Sequence, residues 1–156
     1  MATLIELIKS TQKFKKQLFI SADRIRVHRV NTTKSAGVRN ILYSAVTRDV
    51  EPDAKHATTS GSGRSCQLQF TVPKGADFEN YIPSIANDPV RVRSSSPWYK
   101  FAFAYPNKDI GAHFGRISPF TVKGTGKPVN PDRMPGLDKH LIGMIKILKN
   151  SGKLRD

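Results

Sequence analysis

Cysteine is almost absent from this chain: Cys66 stands alone among 156 residues. One thiol closes no intramolecular disulfide and founds no cysteine-type zinc site. Acidic residues are scarce as well, with 12 Asp and Glu against 26 Lys and Arg. No apolar run approaches the length of about 18 residues that would suggest a membrane span. Residues 1–6 lack the basic start and long apolar stretch of a signal peptide. These shortages exclude a disulfide scaffold and a membrane-spanning protein. They lead us to expect a protein of the virion or cytoplasm, not a secreted one.

What the chain has in excess is positive charge. Its formal charge is +14 and its pI is near 10.2. A compact domain this basic repels itself unless a polyanion meets it. Nucleic acid is the commonest such partner, because phosphate neutralisation releases condensed counterions. The basic residues are dispersed, with no run of five or more, so the charge belongs to folded surfaces and not to a flexible arm. The apolar residues, 38% of the chain, fall in periodic blocks. Residues 1–156 read as one basic nucleic-acid-binding domain, long enough to bury its own core.

Periodicity places the elements. Thr3 and Glu6 have capping-box spacing ahead of Leu4, Ile5, Leu7 and Ile8, which predicts a helix over residues 4–16. From Leu18 to Val30 the period is two. Ile25 and Val27 fall on one side, and Arg24, Arg26 and His28 on the other. A turn is expected at 31–36. Val38 to Val46 reads as a strand apolar on both sides, hence central. Cys66, Leu68, Phe70 and Val72 alternate with polar residues, and Pro73 ends that strand. Residues 77–86 are expected to hold a helical turn or two, interrupted by Pro83. Val90 to Arg93 repeats the basic alternation. Tyr99, Phe101, Phe103 and Tyr105 share one side of a predicted strand, with Trp98, Lys100, Ala102 and Ala104 opposite. Residues 110–122 read as a further, broken strand.

The C-terminal segment is a helix by its 3.6-residue period. Leu137, Leu141, Ile142, Ile145 and Leu148 face inward; Lys139, His140, Lys146 and Lys149 are expected to face away. Gly152 lies just past its end, where a left-handed cap requires glycine. The predicted architecture is α+β: a mostly antiparallel sheet with a short N-terminal helix and an amphipathic C-terminal helix packed on it.

The candidate site follows from these strands. Arg24, Arg26 and His28, with Arg91 and Arg93, would line one sheet face if their strands are neighbours, and such a face contacts phosphates. The aromatic stripe from Tyr99 to Tyr105 would be a base-stacking platform on an exposed sheet, and the sequence leaves that open, but core is the favoured reading because four aromatics on one side are usually buried. That leaves Trp98 and Lys100 as stacking and phosphate candidates, with Tyr43 a further stacking residue. Arg64 follows the Ser60–Gly63 glycine loop, whose backbone N–H groups could touch phosphate. Lys123–Lys127 has a P-loop-like ending, but the first glycine is missing and Pro128 replaces the Ser or Thr, so a nucleotide triphosphatase is not indicated.

The enzyme reading has little support. Glu51–His56 contains Pro-Asp and Asp-x-Lys, elements of metal-dependent nucleases, yet here they overlap. His28, His56, His113 and His140 show no metal-type pairing. No cofactor, metal site or small-molecule substrate is expected. RNA-binding signatures such as the RRM or KH motifs are absent too. The leading expectation is a viral or phage coat protein or nucleoprotein that packages a single-stranded RNA genome as a homo-oligomer. The alternatives are a monomeric single-strand-binding or ribosome-associated module, and a nuclease. RNA is favoured over DNA.

Overall fold

A computed structural model of the chain describes residues 2–50, 63–117 and 130–156. The element order is α1 (Leu4–Phe14), α2 (Gln17–Ala22), β1 (Ile25–Ser35), β2 (Asn40–Asp49), β3 (Arg64–Thr71), β4 (Val90–Ser94), α3 (Pro97–Ala102), α4 (Ala104–Asp109) and α5 (Lys139–Asn150). The strands form one antiparallel sheet in the order β1-β2-β3-β4. The architecture is α+β, with helices at both ends of the chain.

Local chemistry sets the helix ends. The Thr3 hydroxyl accepts a hydrogen bond from the Glu6 N–H at 3.4 Å and starts α1. Asp138 caps α5 by accepting from the Leu141 N–H at 2.8 Å. Gly152 takes φ +77 after α5, as a C-terminal cap demands.

The sheet is covered on one face. Ile41, Tyr43 and Ala45 of β2, Cys66, Leu68 and Phe70 of β3, and Val90 and Val92 of β4 are buried there. Helix α5 lies across all four strands on this side. Leu4 and Leu7 of α1, with Tyr99 and Phe103, complete the same core. A buried polar layer joins sheet to helix: Ser94 Oγ donates to Asp138 Oδ2 at 2.7 Å, and Thr47 Oγ1 lies 2.8 Å from His140 Nδ1.

Several sequence expectations are corrected. Residues 17–22 are helical, not the start of a strand; Leu18 and Ala22 are buried one turn apart. β1 runs on to Ser35, and the turn falls at residues 36–39, with Arg39 at φ +52. No helix forms over residues 77–86; the segment is held by Asp88, which accepts from Tyr81 Oη and the Ser84 N–H. His140 is buried beneath α5 instead of facing away.

The predicted aromatic strand is the two short helices α3 and α4. Pro97 opens the first, where a missing N–H costs nothing. Tyr99 and Phe103 are buried, whereas Phe101 and Tyr105 are exposed. An i, i+4 pair satisfies a helical period and a period of two alike, so seven residues cannot separate them. Residues 112–114 run beside β4 through a single bridge, with the Val92 N–H bonded to Ala112 O at 2.8 Å and the Phe114 N–H to Val92 O at 2.9 Å. They form no strand of the predicted length. Residues 118–122, the Glu51–His56 fragment, the Ser60–Ser62 part of the first glycine loop and the Lys123–Lys127 loop lie outside the described residues.

Candidate nucleic-acid interface

The face of the sheet turned away from α5 can be read row by row from the strand register. Arg26 sits opposite Arg48; His28 opposite Val46, which faces Ser65. The next row is Asn31, Ser44, Gln67 and Arg93, and the one after it Thr33, Leu42, Gln69 and Arg91. Every one of these side chains is partly or fully exposed. No carboxylate occurs in these rows. Arg26 and His28 of β1 and Arg91 and Arg93 of β4 therefore mark the two edges, with Leu42, Ser44, Val46 and Arg48 of β2 and Ser65, Gln67 and Gln69 of β3 between them.

The sequence placed Arg26, His28, Arg91 and Arg93 on one face, and they share it. Their strands are not neighbours, however. β1 and β4 are opposite edges with β2 and β3 between, a span of about 14 Å at normal strand spacing. The remaining candidates lie elsewhere. Arg24 turns to Asp49, its Nε 3.7 Å from Oδ1, and Lys139 of α5 binds the same carboxylate. Arg64 lies opposite Thr47 and shares the parity of Cys66, so it belongs to the helix side. Tyr43 is buried in the core, edge-on to Phe70, and donates its hydroxyl to Lys153 O at 2.8 Å. Burial pushes its pKa up to about 12. Trp98 is packed against Phe14 and Phe103, with Lys15 over its ring. Neither aromatic offers a stacking surface on the sheet. Lys100 is exposed at the β4 end, where it lines a small pocket with Arg93, His113 and Arg116.

Two further cations, Arg48 on this face and Arg29 in β1, escaped the sequence reading. Arg48 continues the alternation of Ser44 and Val46, and extending the strand by two residues would have found it. Arg29 lies in a β-bulge, where the register shifts between His28 and Asn31, and takes φ +52. A bulge leaves no periodic signal.

The ion pairs among the described residues lie elsewhere. Asp49 pairs with Arg24 and Lys139, Asp23 with Lys146, Asp156 with Lys149, and Asp109 with Arg133. Lys139, Lys146 and Lys149 all belong to α5, so these three pairs place carboxylates beside the helix layer. Burial and then the Asp138 charge raise the Cys66 thiol to about 12, which makes it a poor nucleophile. Among the described residues, no group of three or more His, Cys, Asp and Glu is placed to hold a metal ion, and no helix is long and apolar enough to cross a membrane. No protein-family model matches this chain, and neither does a curated protein or a solved structure.

Proposed function

We propose that this chain is a non-enzymatic nucleic-acid-binding structural protein, a viral or phage coat protein or nucleoprotein that packages single-stranded RNA as a homo-oligomer. The observation that carries the proposal is the open sheet face. It bears Arg26, His28, Arg48, Arg91 and Arg93 without a carboxylate in its strand rows. Arginine recognises phosphate through a planar fork of donors and keeps its charge at any relevant pH. The central Ser and Gln residues, with Asn31 at the β1 edge, can bond ribose and phosphate oxygens as well. Tyr43 and Trp98 are engaged in the interior, which favours contacts to the backbone over base stacking. Contacts of that kind give affinity with little sequence discrimination, as packaging requires.

Size-exclusion chromatography with light scattering and the 260/280 nm absorbance ratio tests the packaging part of this proposal. Purified protein is expected in particles many times the mass of one chain, carrying RNA that is sensitive to ribonuclease after dissociation. A small species that releases its nucleic acid in high salt would instead identify a monomeric binding module.

A further inference from the structure

Beyond the β4 edge, a small pocket lies between the sheet and the short helices. Arg93 of β4, Tyr99 and Lys100 of α3, and His113, Arg116 and Ile117 of the following segment line it. No carboxylate lines it among the described residues. Gly115 has φ +83, and a Cβ there would stand 3.0 Å from Arg93 Nη1, so the guanidinium lies close against a bare backbone. Arg93 thus belongs both to the open face and to this pocket.

Tyr99 positions the His113 ring. Its Oη lies 3.0 Å from the Val92 carbonyl oxygen and 2.8 Å from His113 Nδ1. The other ring nitrogen, Nε2, is buried and has no hydrogen-bond partner among the described residues. Protonation would place a further charge in a site already bordered by Arg93, Lys100 and Arg116, with Lys108 of α4 nearby. Burial, followed by the charges of Arg93 and Lys108, holds the imidazole below its usual pKa, against an opposing contribution from the Arg116 backbone. An anion in the pocket would reverse that balance.

We propose that this pocket seats a phosphate group and that His113 couples its occupancy to a proton. The choice of phosphate among anions rests on the nucleic-acid reading above, whereas the convergence of cations on an uncompensated site does not. Binding is tighter to the imidazolium form, so anion affinity rises as pH falls. Sulfate is a suitable probe because it does not titrate in the range of roughly pH 4 to 8 in which histidine does.

The test follows the His113 ring by NMR across that range, in sodium sulfate and in sodium chloride at matched ionic strength. His113→Gln assigns the signal. In sulfate the His113 pKa is expected to rise by about one unit, which corresponds to about tenfold tighter binding to the protonated form. Arg116→Gln is expected to shrink that rise. Equal pKa values in the two salts would overturn the proposal, even if RNA still binds the sheet face. A rise in sulfate without any RNA binding would keep the anion pocket and remove the sheet-face reading. Two short oligoribonucleotides, with and without a 5′-phosphate, then identify the source. A rise with both indicates an internal phosphodiester, and a rise with the phosphorylated one alone indicates a chain end. A rise with neither would overturn the assignment to phosphate.

Discussion

Asp138 and His140 are two residues apart, both buried, and titrate in opposite senses. Burial raises the Asp138 carboxyl to about 6 from 3.8, although the Leu141 N–H and the Ser94 hydroxyl favour the charged form. The folded protein holds this proton more tightly than the unfolded chain does, so stability is gained as pH falls through 6 towards 3.8. Burial, with the Lys139 charge, lowers His140 to about 4 from 6.5. The folded protein resists this protonation, so stability is lost as pH falls from 6.5 towards 4. The two effects largely offset in the native protein. Asp138→Asn keeps an oxygen for the cap and removes one side of the balance. That variant is expected to lose on the order of 3 kcal/mol between pH 7 and pH 4 relative to the native protein, measured by urea unfolding. An identical pH dependence in both proteins would show that these groups do not titrate against each other.

At the scale of elements, α5 and β1 approach closely at one residue. A Cβ on Gly143 would stand 2.7 Å from Ile25 Cβ and 2.8 Å from its Cγ2. Alanine at this position would gain about 1 kcal/mol of helix propensity. The clash is with a branch point next to the backbone and cannot be relieved by a flexible side-chain end. Gly143→Ala is therefore expected to lower the unfolding midpoint in a thermal melt, with a net cost of about 1–2 kcal/mol after overpacking is set against propensity. A raised midpoint would mean that α5 can shift away from the sheet.

The elements differ in how well the sequence foretold them. α5 was legible because five apolar residues repeat over more than three turns, and β3 because strict alternation met Pro73. The short helices α2, α3 and α4 were not. Each is six residues long, too short for a period of 3.6 to stand apart from a period of two. Their helical state is decided by packing, as with Tyr99 and Phe103 in the core, and not by local preference. The parity of Arg26 with His28, and of Arg91 with Arg93, was visible in the chain. Their placement at opposite edges depends on strand order, which alternation does not encode. His113 was invisible as a pocket residue because its role comes from Tyr99, in a segment that pattern alone read as strand.

For the whole molecule, the distribution of charge matters more than its total. Several described carboxylates pair with lysines of α5, while the strand rows of the open sheet face hold arginines and no carboxylate. A polyanion laid across that face would relieve the repulsion within a chain of net charge +14. Phosphates are therefore expected to meet two separate edges of one sheet. The most direct measurement is the affinity for a short single-stranded RNA as a function of salt, by fluorescence anisotropy, for the native protein, Arg26→Ala and Arg91→Ala. The log–log slope should be steep in the native protein, and each substitution should reduce it by about one without changing base preference. Native slopes in both variants would contradict the account, because the two edges would then carry no phosphate.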